Sequence, residues 1–372
     1  MKKIKVLIIF GTRPEAVKMA PIVKALENDE NFISKICVTA QHRDMLDQVL
    51  RIFDIEPDYD LNIFQSGQTL TQITCRALTG LEDVIEEFKP DLILVQGDTT
   101  TVFTGALAAF YHQVKIGHVE AGLRSGNLYS PYPEEANRML TGVLTNFHFA
   151  PTKNSKANLL REGYDESKIF ITGNTSIDAL KWVIDNDYKF DDDTINNIDF
   201  EHKKVILLTS HRRENIGEPM ENIFSAVRDI VNENSDVEVI YPMHLNPKVR
   251  EIAEKILGGM KRVHLTEPLD YLPFTNLMSK CYMVVTDSGG IQEEAPSLGK
   301  PVLVVRKETE RPEGIEAGTA KLAGVDRKTI YEYLDILINN NEEYKKMANA
   351  VNPYGDGKAA QYIVEAIKEK ML

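Results

Sequence analysis

Ile4-Lys5-Val6-Leu7-Ile8-Ile9-Phe10-Gly11-Thr12-Arg13-Pro14-Glu15-Ala16-Val17-Lys18 is the stretch whose reading decides the fold. Ile4–Phe10 is apolar apart from Lys5, which predicts a strand buried on both faces. Gly11 ends the run, and Pro14 suits the first helical position, so Arg13 falls near the N-cap and Lys18 about one turn in. Ala16, Met19, Val23 and Leu26 then recur at helical spacing. Strand, tight turn and helix together open a βαβ unit and predict a parallel sheet.

The alternation continues outward from there. A strand near Lys35–Thr39 and a helix through Met45–Phe53 lead to a strand Asp91–Gln96. A helix over Ala106–Tyr111 follows, then strands Val114–Val119, Phe147–Ala150 and Ile169–Thr172. Asn and Asp crowd the chain between about Asp185 and Lys203, which predicts a linker. Strand Val205–Thr209 restarts the pattern, followed by a helix with Met220, Ile223, Phe224, Val227 and Ile230 on one face. Strands Val237–Tyr241, Val263–Leu265, Met283–Thr286 and Val302–Val305 complete it. The class is therefore α/β, with two Rossmann-like, doubly wound parallel-sheet domains. A length of 372 residues suits two cores. The expected division is 1–185 for the first domain and 186–353 for the second. The last helix, 354–372, is expected to cross back onto the first domain by fold analogy.

Composition narrows the function. Asp plus Glu is 56 against 43 Lys plus Arg, a formal charge of −13, which argues against a nucleic-acid partner. A few cations focused in a cleft would still hold a small anion. No apolar run approaches the roughly 20 residues of a membrane span. Met1-Lys2-Lys3 is followed by a strand and a charged helix, not a cleavage site, so a cytoplasmic protein off the membrane is expected. Cys37, Cys75 and Cys281 lie far apart, each in an apolar context, and predict buried free thiols, with no metal site. Asp191-Asp192-Asp193 matches a D-x-D pattern but falls in the linker, where a solvated turn is expected.

Ligands of open α/β sheets sit outside the carboxyl ends of the strands, and unusual residues gather there. Arg13 and Lys18 flank the first helix start, whose free N–H groups favour an anion. Only Gly11 stands where G-x-G-x-x-G needs three glycines, so NAD is not expected. Asp98 ends one strand and Glu120 the next, and Glu134 follows in Pro133-Glu134-Glu135-Ala136-Asn137-Arg138. Asp98 could be an N-cap and Glu134 a first-turn carboxylate, but Glu120 at a buried strand end needs a partner or a ligand. In the second half, strand ends deliver Ser210-His211-Arg212-Arg213 and His244. Ser288-Gly289-Gly290 makes a bare turn at a helix start, suited to a diphosphate, with Glu293 or Glu294 placed for ribose hydroxyls. Arg311 sits in a charged loop aimed at the same edge.

The strings GTRPEAVKMAP, QGDTT, HVEAGLRSG, PEEANR, SHRREN, TDSGGIQEEAPSLGKPV and ERPE resemble the non-hydrolysing UDP-N-acetylglucosamine 2-epimerases, in family order from first strand to last helix. The resemblance implies a GT-B fold, with the ligand cleft between two Rossmann-like domains. It also implies reversible interconversion of UDP-N-acetylglucosamine and UDP-N-acetylmannosamine without a cofactor, by elimination of UDP to a 2-acetamidoglucal and re-addition. Matched by motif, Asp98, Glu120 and Glu134 are the expected catalytic carboxylates and His211 the histidine at the diphosphate. Arg13, Lys18, Phe274, Ser288, Gly289, Gly290, Glu294 and Arg311 match UDP-sugar contacts. Leu269 stands where some members carry Gln, so a backbone contact would serve there.

Bacterial members also bind a second UDP-N-acetylglucosamine as an activator, and its motif matches Gln41, His42, Gln68, Arg212 and His244, with Glu134 shared. The family suggests a homodimer that feeds cell-surface polysaccharide synthesis. A GT-B glycosyltransferase, a hydrolysing 2-epimerase and a non-catalytic UDP-sugar sensor are the rival readings. The three carboxylates favour the epimerase over transfer, and the carboxylates together with His211 argue against a mere sensor.

Overall fold

The computed structural model describes residues 3–40 and 43–372; Gln41 and His42 lie outside the described residues. In chain order, the first half runs β1 (Ile4–Phe10), α1 (Arg13–Glu27), β2 (Phe32–Val38), α2 (Arg43–Ile52), β3 (Tyr59–Asp60), α3 (Leu70–Phe88), β4 (Leu92–Gln96) and α4 (Thr100–Tyr111). It continues through β5 (Lys115–Val119), α5 (Glu134–Leu144), β6 (Phe147–Ala150), α6 (Lys153–Arg161), β7 (Ile169–Ile171) and α7 (Thr175–Val183). The second half runs α8 (Asp193–Asn196), β8 (Lys204–Thr209), α9 (Glu218–Glu233), β9 (Val237–Pro242), α10 (Pro247–Leu257), β10 (Val263–Thr266) and α11 (Tyr271–Lys280). Then come β11 (Met283–Thr286), α12 (Gly289–Glu294), β12 (Val302–Val304), α13 (Pro312–Glu316), β13 (Ala320–Leu322), α14 (Arg327–Asn339), α15 (Asn341–Ala348) and α16 (Ala359–Met371).

Two compact units result, Met1–Trp182 with Tyr354–Leu372, and Val183–Pro353. The first carries a seven-stranded sheet in the order β3-β2-β1-β4-β5-β6-β7, parallel throughout. The second carries six parallel strands in the order β10-β9-β8-β11-β12-β13. Strand order reverses between β1 and β4 in one sheet and between β8 and β11 in the other. Those switch points are where doubly wound sheets leave a crevice at their carboxyl ends.

The cores follow from the sequence pattern. Leu7, Ile9, Ile93, Val95 and Ile116 of the first sheet pack beneath Leu81, Val84 and Phe88 of α3 and Val102 and Ala106 of α4. Ile206, Leu208, Val239, Val285 and Leu303 of the second sheet meet Met220, Phe224 and Val227 of α9 and Ile330 and Leu334 of α14. Gly11 is required where β1 turns, because a Cβ there would come within 1.9 Å of Thr39 Oγ1. Helix α1 begins at Arg13 behind the cap residue Thr12, so Pro14 takes the second helical position. Helix α3 is not among the elements expected from sequence, although Thr69 and Gln72 make a capping box at its start. Cys75 on its outer face is exposed against the expected burial, whereas Cys37 and Cys281 are buried.

Helix α16 packs within the first unit. Asp178 of α7 accepts the Ala359 and Ala360 N–H groups at 3.1 and 2.9 Å, capping the α16 start from outside. Lys368 near its other end pairs with Asp29 at 2.8 Å. Asp192 caps the short α8 through Thr194 N. Among the described residues no helix is long and apolar enough to cross a membrane.

One buried pair sets a pH sensitivity. His118 of β5 and His148 of β6 are register partners, each about 1% exposed. His118 Nε2 donates to Gly97 O at 2.7 Å, while neither His148 nitrogen has a described partner. Burial holds His118 down to about 4, with Arg124 also lowering it and Gly97 O, Asp98 and Glu120 acting in the other direction. Burial holds His148 down to about 3, helped by His118, Arg124 and Lys168. Unfolded histidine titrates near 6.5, so the unfolded chain takes up these protons first. Their contribution is therefore present above about pH 6.5 and is lost as the pH falls toward 4. Urea midpoints should drop between pH 7 and 5, and His148→Phe should flatten that drop; equal slopes in both proteins would refute the assignment.

Candidate active site

At the carboxyl edge of the first sheet the centre is Glu120, immediately after β5. Its backbone lies in the left-handed region at φ +65°, a conformation that costs a non-glycine residue on the order of 1–3 kcal/mol. A helix and two strand ends hold its carboxylate there. Lys18 of α1 reaches both oxygens at 2.7 Å, Gln96 at the end of β4 donates to Oε2, and Asn174 after β7 donates to Oε1 at 3.2 Å. The side chain is 11% exposed. A carboxylate so buried needs such partners, since an unpaired buried charge is far more costly than the strain.

Asp98 stands beside it on the loop after β4. Thr99, not Asp98, caps α4. Asp98 Oδ2 instead receives Arg138 Nη2 at 2.5 Å, and Asn137 Nδ2 reaches the Asp98 carbonyl at 2.8 Å. Arg138 is braced from behind by Glu135 at 3.0 Å, and Glu135 also accepts the Ser125 and Gly126 N–H groups. Burial alone would raise the Glu135 carboxyl, but those amides and Arg138 bring it below the usual range. Glu134, half-buried, opens α5 one residue earlier. Glu15 is buried beneath this edge, tying Gly11 N and Thr12 N to the Thr99 hydroxyl. Burial pushes the Glu15 carboxyl up.

The edge of the second sheet is cationic. Ser288 takes the cap position of α12, and a Cβ on Gly289 would lie 3.8 Å from the Arg311 guanidinium and 4.0 Å from that of Arg212. A Cβ on Gly290 would meet nothing within 4 Å. Bare glycines, outward N–H groups and two guanidinia make a seat for an anion. Arg311 is held by Glu293, whose backbone carbonyl accepts Asn352 Nδ2 at 2.9 Å. His211 stacks on His244, ring centroids 5.5 Å apart and 11° from parallel. Burial pushes the His211 imidazole down, with Asp287 pulling in the opposite direction. Phe274 lies half-buried in α11, and burial pushes the Tyr271 phenol up, helped by Glu294 at the end of α12.

In the first unit, then, Lys18 and Glu120 are in contact, Asp98 is built into an ion-paired loop beside them, and Arg13 and Glu134 begin helices at the same edge. In the second, His211, Arg212, His244, Ser288, Gly289, Gly290 and Arg311 share one rim. Gln68 accepts Arg76 Nη1 at 2.9 Å on the approach to α3, and no contact joins it to the Glu120 cluster among the described residues. Gln96, Arg138, Asn174 and Asp287 did not emerge from the sequence. The buried-carboxylate requirement at Glu120 foretold that partners exist, but not which residues they are. Among the described residues no group of three or more His, Cys, Asp or Glu is placed to hold a metal ion.

A model of the family described as UDP-N-acetylglucosamine 2-epimerase matches residues 24–368. The UDP-N-acetylglucosamine 2-epimerase of Bacillus subtilis is 56% identical over 99% of this chain and 96% of its own. That of Escherichia coli K12 is 56% identical over 99% of each chain. The crystal structure of the Neisseria meningitidis UDP-GlcNAc 2-epimerase bound to UDP-GlcNAc superposes with a TM-score of 0.87 at 51% identity, covering 98% of this chain and all of that one. Matched along nearly its whole length, the chain belongs to the non-hydrolysing UDP-N-acetylglucosamine 2-epimerase family and is an isomerase.

Proposed function

We propose that this chain interconverts UDP-N-acetylglucosamine and UDP-N-acetylmannosamine by eliminating UDP to a 2-acetamidoglucal and adding it back on the other face of C2. The observation that carries the reading is the Glu120 cluster: a carboxylate fixed by Lys18, Gln96 and Asn174, with a second one, Asp98, fixed by Arg138 alongside. Inversion at a carbon bearing hydrogen needs one group to remove the proton and another to return it from the opposite face. Asp98, Glu120 and Glu134 supply those groups.

The C2 hydrogen is weakly acidic, because an amide nitrogen and not a carbonyl is attached to C2. Stabilising the departing diphosphate must therefore carry much of the barrier. Arg311, Arg212, the α12 start and His211 are suited to that task. Arg13, Lys18, Phe274, Ser288, Gly289, Gly290 and Glu294 complete the substrate contacts in this reading. A second UDP-N-acetylglucosamine would act as an activator on Gln41, His42, Gln68, Glu134, Arg212 and His244. A cytoplasmic homodimer supplying N-acetylmannosamine units for cell-surface polysaccharide is the setting that fits.

Proton NMR of UDP-N-acetylglucosamine with the protein in D₂O tests the proposal. UDP-N-acetylmannosamine should appear, with deuterium at C2 in both sugars. Free N-acetylmannosamine plus UDP would assign the chain to hydrolysis, and unchanged substrate would favour the transferase or sensor. Initial rates with UDP-N-acetylmannosamine alone should rise when UDP-N-acetylglucosamine is added; equal rates would remove the activator. Asn174→Ala removes one hydrogen bond to a charged group, worth about 1.5–3 kcal/mol, so kcat should fall roughly tenfold or more. KM should stay nearly constant, since Asn174 touches Glu120 and not the sugar in this scheme; a raised KM with full kcat would contradict that placement.

A further inference from the structure

Asp287, directly after β11, has no part in the roles above, yet it is fully buried beside His211. Its Oδ2 is saturated. It accepts Ser210 Oγ at 3.1 Å, the His211 and Arg212 N–H groups at 2.9 Å each, and Asn215 Nδ2 at 3.0 Å. Its Oδ1 is equally buried, has no described hydrogen-bond partner and lies 3.4 Å from His211 Nδ1. That separation lies at the loose end of hydrogen-bond geometry. Strand pairing fixes the geometry from below: Thr286 of β11 is the register partner of Thr209 of β8, and their hydroxyls meet at 2.6 Å.

A buried carboxylate oxygen facing a ring nitrogen demands that this nitrogen carry hydrogen. In neutral His211 that leaves Nε2 as a bare lone pair on the side away from Asp287. The groups acting on the ring are Asp287 from β11, His244 from the end of β9, and Arg212 and Glu214 from its own loop. A diphosphate oxygen arriving at Nε2 is met favourably only if Nε2 gains a proton. Asp287 is then the counter-charge for the resulting imidazolium, since Arg212 already opposes it.

We propose that Asp287 is a positioning residue that fixes His211 in the Nδ1–H tautomer and stabilises the imidazolium formed when the diphosphate docks, so that Nε2–H protonates the departing oxygen. This rests on the elimination reading. As the C1–O bond breaks, its electron pair stays on the phosphate oxygen, which takes the Nε2 proton. The C2–H pair becomes the C1=C2 bond, and that proton goes to a carboxylate. In re-addition the phosphate oxygen gives its proton back to Nε2 and re-forms the C1–O bond, while a second carboxylate delivers a proton to the opposite face of C2.

Nitrogen-15 NMR of the full-length protein labelled at histidine tests this, with His211 assigned by its loss in His211→Gln. At a pH where free His211 is neutral, its Nδ1 should be protonated and Nε2 bare, and adding UDP should protonate both. Asp287→Asn turns an amide N–H toward Nδ1 and should reverse the tautomer. Its kcat should fall about 10²-fold or more with KM within about threefold, in the manner of dyads that lose their orienting carboxylate. An Nε2–H tautomer in the wild-type protein would overturn the proposal, as would an Asn variant with unchanged tautomer and kcat. If that variant does not fold, the wild-type tautomer alone decides. Wild-type protein with the expected tautomer but no turnover would sink the epimerase reading, whereas an active enzyme with the opposite tautomer would sink only this one.

Discussion

Glu120 is the constraint on which the first unit turns. Its backbone is held in a left-handed conformation at the end of β5, and its carboxylate is gripped from helix α1 and from the ends of two other strands. Each grip ties a different crossover of the sheet to one point. Lys18 brings in the β1–α1 connection, Gln96 the β4 end and Asn174 the β7 end, so the carboxylate cannot move without disturbing all of them. Any residue with a Cβ bears the same backbone cost at that place, and a neutral one would in addition deprive the half-buried Lys18 of this carboxylate.

Asp287 does the same for the second unit by a different route. No backbone strain is involved; four donors converge on one oxygen, and all four come from the segment between β8 and α9. The loop carrying His211 and Arg212 is thereby folded around a carboxylate before any ligand arrives. Preorganised charge of this kind is most effective where bonds to phosphate change, because nothing has to reorganise during the reaction. Asp287 sits at the switch point of its sheet, where β11 borders β8, whereas Glu120 follows β5, one strand beyond the β1–β4 switch point, and is reached from there by Lys18 and Gln96.

Much of this architecture was legible in the sequence because parallel strands are buried on both faces and read as uninterrupted apolar runs. Ile4–Phe10, the strand before Gly97 and Met283–Thr286 needed no other signal. Helix α3 escaped notice although Ile73, Ala77, Leu81, Val84 and Phe88 line its buried face, because polar and charged residues crowd between them. The partners were the illegible part. Arg138 lies 40 residues from Asp98, Asn174 lies 54 from Glu120, and Asp287 lies 76 from His211. Only the order of strands in the sheet brings such pairs together, and strand order is not written in local periodicity.

The epimerase reading requires that the bond between C1 and the diphosphate oxygen break in each turnover, since a carbon acid as weak as C2–H gives up its proton only as a leaving group departs. Positional isotope exchange measures that bond directly. In UDP-N-acetylglucosamine carrying ¹⁸O in the bridge between C1 and the β-phosphorus, the label should scramble into the non-bridging β-phosphate positions as fast as epimerisation proceeds, or faster. Epimerisation with the label retained in the bridge would show that the sugar never leaves its diphosphate, and would contradict the elimination on which the proposed roles of Glu120, His211 and Asp287 depend.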